Sequence, residues 1–227
     1  MKIAEIFFSI QGEGILVGVP SVFVRTSGCN LRCTWCDTPY TSWHPEGENL
    51  TIEQILDQIA RFPASHVVVT GGEPMIAPEI EMLTAALHQR GLHITIETAG
   101  TVYKPVTCDL MSISPKLANS TPRSRDGGRW AELHDRLRYQ PETLADLLRK
   151  YSYQLKFVVS EPADLSEIQT ITEALAADPA RTILMPEGID RDTTRERGLW
   201  LAEICKTTGY RFSPRLHIDL WGDRRGV

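Results

Sequence analysis

Residues 28–40 read GCNLRCTWCDTPY, and within them Cys29, Cys33 and Cys36 bring three of the chain's five cysteines together. Offsets of four and seven would put all three thiols on one stripe of a helix. Gly28 ahead of them, Pro39 behind, and polar Asn30, Arg32 and Thr34 between them suit an irregular loop better. Thiols so spaced are metal ligands. Structural zinc normally takes four closed tetrahedral ligands, so Asp37 or His44 would have to complete such a site. A [4Fe–4S] cluster takes one protein ligand per iron, so three cysteines would leave one iron open to a substrate. At this point both readings stand.

Outward from the loop, short β-branched runs alternate with longer periodic ones. The runs are Ser21–Thr26, His66–Thr70, His93–Thr98, Leu110–Ser114, Leu155–Ser160 and Thr182–Met185. Their Val and Ile content suits strands buried on both faces. Between them, Thr51–Phe62 carries Ile52, Ile55, Leu56 and Ile59 on one stripe, and Thr51 with Gln54 forms a capping box. Glu79–Arg90 stops at Gly91 and Thr194–Thr208 stops at Gly209, each a fitting C-terminal cap. Leu144–Tyr151 and Leu165–Ala177 also read as helices. The alternation predicts an α/β chain with a parallel sheet and right-handed connections. It does not choose between an open doubly wound sheet and a partial barrel.

Three segments break the rhythm. Met1–Gly18 reads as a strand leading into a glycine-rich turn. Residues 117–141 form a polar stretch with five arginines against three acids, expected as a surface insertion or lid. The tail, 211–227, shows no helical period. The whole, 1–227, is expected to form one domain.

Composition excludes several classes. With 42% hydrophobic residues the chain can bury a full core. A net charge of −5 argues against a general nucleic-acid coat, which needs a basic face. No stretch free of Asp, Glu, Lys and Arg exceeds eleven residues, short of the ~20 that span a bilayer. Glu5 interrupts any signal-peptide pattern. An odd cysteine count speaks against a disulfide framework, leaving Cys108 and Cys205 as inert buried thiols. The expectation is a soluble cytoplasmic protein with neither nucleic acid nor membrane as partner.

The CxxxCxxC loop after the first of these strands resembles the radical S-adenosylmethionine (SAM) superfamily. Thr70-Gly71-Gly72-Glu73-Pro74, ending the next strand, strengthens the likeness, because glycines let backbone carbonyls approach a ligand. More of the chain resembles one family within it, the 7-carboxy-7-deazaguanine synthases of queuosine and deazapurine biosynthesis. The strings are Gln11-Gly12-Glu13-Gly14, Arg25 in FVRTSGC, Cys36-Asp37-Thr38, Glu97-Thr98-Ala99-Gly100 and Ser114-Pro115-Lys116. They follow strand ends, where parallel α/β folds place ligand groups. The resemblance selects a modified partial (β/α)6 barrel over the open sheet.

What it implies is a carbon–nitrogen lyase. A reduced [4Fe–4S] cluster would cleave SAM to a 5′-deoxyadenosyl radical. That radical would take the C6 hydrogen of 6-carboxy-5,6,7,8-tetrahydropterin. Ring contraction with loss of ammonia would give 7-carboxy-7-deazaguanine. By this likeness Cys29, Cys33 and Cys36 ligate the cluster. Cys36, Asp37, Thr38, Gly72, Glu97, Ser114, Pro115 and Lys116 contact SAM. Gln11, Gly12, Glu13 and Thr70 read the pterin edge. Arg25 suits the substrate carboxylate, since its fork can bind both oxygens. Thr38 is the expected Mg²⁺ ligand, alongside waters and substrate oxygens. The resemblance also implies an electron donor such as flavodoxin or ferredoxin, and a homodimer.

Each assignment has a plainer rival. Arg25 could be a strand-end ion pair, Gln11 and Glu13 turn residues, Thr38 a turn cap and Lys116 solvated surface. The six histidines are expected in structural roles, and Trp35 beside the thiols could shield the site. A SAM contact by Gln154 stays open. A radical SAM activase of a partner protein, or a non-enzymatic zinc or cluster module, are the competing functions.

Overall fold

The computed structural model describes residues 1–227. Its strands are β1 (Lys2–Ile10), β2 (Pro20–Thr26), β3 (Glu48–Asn49), β4 (His66–Gly71), β5 (His93–Thr98), β6 (Leu110–Ile113), β7 (Tyr153–Val159), β8 (Thr182–Pro186) and β9 (Arg211–Phe212). They lie in one open sheet, in the order β3-β1-β2-β4-β5-β6-β7-β8-β9. From β2 to β8 each strand pairs with the next core strand in parallel. The sequential order is that of a barrel, not of a doubly wound sheet. β1 runs antiparallel to β2, and two-residue strands stand at both edges.

The helices are α1 (Pro39–Ser42), α2 (Ile52–Ile59), α3 (Ile80–Gln89), α4 (Ala131–Leu137), α5 (Pro141–Lys150), α6 (Asp164–Ala174), α7 (Arg191–Thr208) and α8 (Leu216–Trp221). The expected capping box is present on α2: Thr51 Oγ1 accepts from the Gln54 N–H, and Gln54 Oε1 from the Thr51 N–H. Gly209 ends α7 with φ of 74°, left-handed backbone that a side chain would strain. No helix is long and apolar enough to cross a membrane.

Side-chain parity divides the sheet into two unlike faces, because successive strand residues point to opposite sides. On one parity stand Val22 and Val24, Val67 and Val69, Ile94 and Ile96, Met111 and Ile113, and Leu155 and Phe157. They share one apolar core with Ile55 and Ile59 of α2, Leu83 and Leu87 of α3, Leu144 and Leu147 of α5 and Ile168 of α6. Each such fully buried aliphatic contributes about 1.5–3 kcal/mol. That layer can hold the fold while the opposite parity is polar. The opposite parity carries Arg25, Thr70, Glu97, Ser112 and Gln154, one from each of β2, β4, β5, β6 and β7. Register sets Arg25 beside Thr70 and Ser112 beside both Glu97 and Gln154.

Two expectations need correction. The tail is not without helix: α8 packs Ile218 into the interior. Its single short turn is too brief to display a period. Nor is 117–141 a plain surface insertion. It contains α4, and Leu117, Ser120, Thr121 and His134 are buried. Its polar composition reflects hydrogen bonds made inward, which sequence reads as solvated surface.

Candidate active site

The polar parity opens into a cavity of about 500 Å³ at the carboxyl ends of the strands. The cysteine loop forms one wall: residues 27–38 contain no helix, and Cys29, Cys33 and Cys36 all line the space. The turn after β4 fixes the loop from beneath. Gly72 N–H donates to Thr26 O at 3.1 Å and Glu73 N–H to Gly28 O at 2.9 Å. A Cβ on Gly72 would lie 2.1 Å from Gly28 O and 2.9 Å from Cys29 Cβ, so only glycine fits there.

Glu73 turns away from the cavity. It is 1% exposed and accepts from Thr98 Oγ1 (2.7 Å), Ala99 N–H (2.8 Å) and Met75 N–H (3.0 Å). Burial raises its pKa, an effect these donors partly oppose. Its role is to tie the turn after β4 to the end of β5.

The loop thiols differ in surroundings. Burial, reinforced by the Glu73 charge, pushes Cys29 up to about 12, and burial likewise raises Cys33. Near neutral pH both are thiols until a metal displaces their protons. Cys36 Sγ lies 3.2 Å from Ser42 Oγ. No three His, Cys, Asp or Glu side chains are gathered tightly enough to hold a single metal ion. Three separated thiols on one wall, beside a glycine turn with no room for a side chain, fit a multi-iron cluster with a vacant iron.

A charged cluster faces that wall. Lys156 pairs with Glu13 and lies 3.9 Å from Glu97. Arg215 Nε donates to Glu13 Oε1 at 3.2 Å, its Nη1 to Gly188 O at 2.6 Å, and its remaining η nitrogen pairs with Asp37. Burial works to raise the Glu13 pKa, but Lys156, Arg215 and His217 outweigh it and hold the carboxyl well below its usual range. Burial disfavours the Lys156 charge, and Glu13 and Glu97 restore it. Gln11 Nε2 donates to Glu97 Oε1 at 3.2 Å and Thr70 Oγ1 to Glu97 Oε2 at 2.8 Å.

Arg25 is an ion pair and a cavity residue at once. Its Nε donates to Glu5 Oε1 at 2.6 Å, across the β1–β2 register. No hydrogen bond within the chain uses its two η nitrogens, and it lines the cavity. Lys116 is no solvated surface residue: Nζ donates to Ser114 O (2.8 Å) and to Ser114 Oγ (2.9 Å) at the cavity edge. Thr38 makes no side-chain cap to α1; its Oγ1 accepts from Thr41 Oγ1 at 3.4 Å. Trp35 lines the wall and donates from Nε1 to Asn119 Oδ1 at 3.2 Å.

The cavity thus gathers the loop cysteines with Asp37, Thr38, Gly72, Glu97, Ser114, Lys116, Gln11, Gly12, Glu13, Arg25 and Thr70. Pro115 is the exception, buried behind the lining. Gln154 is also outside it: its Oε1 accepts from Ile15 N–H (2.9 Å) and its Nε2 donates to Ser112 Oγ (2.7 Å).

The Radical SAM superfamily model matches residues 23–149. A protein of Rhodopirellula baltica named 7-carboxy-7-deazaguanine synthase is 45% identical over 228 residues, spanning 100% of this chain and 89% of that one. Its namesake from Halobacterium salinarum is 43% identical, over 98% and 91%. This chain belongs to the 7-carboxy-7-deazaguanine synthase family. The crystal structure of QueE from Escherichia coli superposes with a TM-score of 0.71 at 28% identity, covering 95% of this chain and 94% of that one. A structure of TYW1 with a lysine–pyruvate adduct shares the fold alone, at 15% identity and a TM-score of 0.57 over 82% and 73%. As a radical SAM member of the synthase family, the chain uses a [4Fe–4S] cluster and SAM. It acts on a small molecule and needs a reductant.

Synthase membership was legible in the motifs, but many lining residues were not, among them three that meet Glu13. Lys156, Arg215 and His217 all line the space. His217, expected like the other histidines in a structural role, lines the cavity 4.0 Å from Glu13. Lys156 alone carried a signal, as a lysine inside the apolar run Leu155–Val159 of β7.

Proposed function

We propose that this chain converts 6-carboxy-5,6,7,8-tetrahydropterin to 7-carboxy-7-deazaguanine with release of ammonia, in queuosine and 7-deazapurine biosynthesis. The observation that carries the reading is one cavity with three thiols on one wall and a graded set of charges opposite. Cys29, Cys33 and Cys36 hold the cluster. Gly72, Glu97, Ser114 and Lys116, with the backbone of Cys36–Thr38, hold SAM. Cluster and SAM together supply a carbon radical able to take hydrogen from an unactivated position.

The chain's own residues do the orienting. Arg25 presents its η nitrogens to the substrate carboxylate while Glu5 fixes the guanidinium through Nε. Glu13, kept ionised by Lys156 and Arg215, accepts from the N–H donors of the pterin edge, with Gln11 and Thr70 beside it. Charge-assisted hydrogen bonds of this kind are short and directional, which suits a reaction that depends on aiming one hydrogen at one carbon. Thr38 offers a hydroxyl to Mg²⁺, whose other ligands are waters and substrate oxygens. The reading includes a homodimer, a flavodoxin or ferredoxin as donor, and action in the cytoplasm.

The test is anaerobic turnover with SAM, reductant and 6-carboxytetrahydropterin, read by product mass and ammonia release. Stoichiometric deazaguanine and ammonia are expected. SAM cleavage by an intact cluster without either product would remove the assignment.

A further inference from the structure

Arg215, immediately before α8, is 7% exposed and meets three separate walls of the cavity. Its Nε donates to Glu13 Oε1 at 3.2 Å, 202 positions away. Nη1 donates to Gly188 O at 2.6 Å, in the turn after β8. Nη2 pairs with Asp37, 178 positions away and next to Cys36. Each nitrogen of the guanidinium thus has its own acceptor, and each acceptor belongs to a different loop.

The loops joined in this way have different tasks. Glu13 stands in the turn that reads the pterin edge, and Asp37 in the end of the cysteine loop that meets SAM. The turn is seated on the tail by backbone contacts: Leu216 N–H donates to Gly12 O at 2.9 Å and Gly14 N–H to Ser213 Oγ at 2.8 Å. A Cβ on Gly12 would lie 2.1 Å from His217 Nδ1, so the two segments pack without a gap. The cysteine loop has no such seat. Of the hydrogen bonds made by residues 29–38, the one between Asp37 and Arg215 alone reaches the tail, and none reaches the 11–14 turn directly. Arg215 is therefore the polar link between the two halves of the site.

We propose that Arg215 is a positioning residue: it fixes the carboxylate that reads the pterin relative to the loop that presents SAM, and so aims the reacting hydrogen. The inference rests on the functional reading above. Transfer between two bound molecules depends on their placement, and a shift of about 1 Å caused from outside the chemistry can cost about 100-fold in rate. Arginine suits the task, since its planar fork offers nitrogens in fixed directions, whereas a lysine ammonium is one point on a flexible stem. The fold does not depend on the bridge. Without it Glu13 keeps Lys156, the Asp37 side chain is 41% exposed and open to water, and the backbone contacts between turn and tail remain.

The experiment cuts the bridge from both ends. Arg215→Lys keeps the charge and removes the fork; Asp37→Asn weakens the same contact from the loop side; the double variant combines them. Binding of 6-carboxypterin, a fluorescent and unreactive probe, is titrated on the apo-protein. Reconstituted protein is then assayed for iron, for SAM affinity and, at saturating 6-carboxytetrahydropterin, for 5′-deoxyadenosine released per deazaguanine formed. Saturation makes that ratio a measure of aim rather than of occupancy. Both single variants are expected to keep the iron and the SAM affinity of the unsubstituted chain. Arg215→Lys should bind 6-carboxypterin about three- to tenfold more weakly. In each single variant the ratio should rise about tenfold or more. The double variant should be no worse than the poorer single one, because one bridge is lost in all three. An unchanged ratio in Arg215→Lys would overturn the proposal, as would additive effects in the double variant or loss of iron from Arg215→Lys, which would mark a structural role. Should the unsubstituted chain release 5′-deoxyadenosine and form no deazaguanine, the functional reading itself falls, and the inference with it.

Discussion

Glu73 offers the sharpest test of how the glycine turn supports the cysteine loop. Replacing it with Ala removes three acceptor contacts at a 1% exposed position and strands the N–H groups of Met75 and Ala99. Each buried unpaired donor costs about 1–3 kcal/mol. Relief of a buried charge returns part of this, since burial already raises the Glu73 pKa. The net is about 3 kcal/mol of lost stability. A chain of 227 residues shifts its melting temperature by roughly 2–4 °C per kcal/mol, so the apo-protein should melt about 6–12 °C lower. Glu73→Gln keeps one acceptor and turns an amide donor toward existing donors, so it should fall between. Because Glu73 N–H also bonds Gly28 O, the Ala variant should retain less iron after reconstitution. Calorimetry of apo-protein and iron–sulfide analysis measure both. An Ala variant melting within about 2 °C of the parent, with full iron, would show that the carboxylate does not carry the turn.

Two further outcomes follow from the charged side of the cavity. Arg25→Ala should keep cluster and SAM cleavage but lower kcat/KM for the pterin about 10- to 100-fold, the scale of a lost charge-assisted contact; loss of iron instead would mark Arg25 as structural. The Glu13 carboxyl is held below its ordinary value of 4.5, so its stabilisation is present above that pH and erodes as pH falls below it. Apo-protein melting temperature should therefore drop less between neutrality and about pH 3 in Glu13→Gln than in the parent, starting from a lower value; equal slopes would sink the ion-pair account.

Much of this was readable because parallel strands announce themselves. Val67-Val68-Val69 and Ile94-Thr95-Ile96 gave β4 and β5, and the motifs at their ends lie where the parity rule puts them. Arg25, Thr70 and Glu97 were found because they belong to strings with chemistry attached. What stayed hidden lies in pairings between distant residues. Arg215 meets Asp37 across 178 positions, and nothing local in RLHIDLW announces that meeting. The 117–141 segment misled because His134 and Ser120 satisfy each other and the loop inside the protein, while sequence shows only their polarity.

The sheet's failure to close has its own consequence. Arg215 bridges Glu13, beyond β1, and Gly188, beyond β8, while Leu216 N–H donates to Gly12 O at 2.9 Å. Gly14 N–H also donates to Ser213 Oγ at 2.8 Å, so the chamber's seam is fastened by side chains and scattered backbone contacts rather than by a ladder. None of those contacts belongs to a strand pairing, so their loss would leave the order of the sheet that aims the site unchanged.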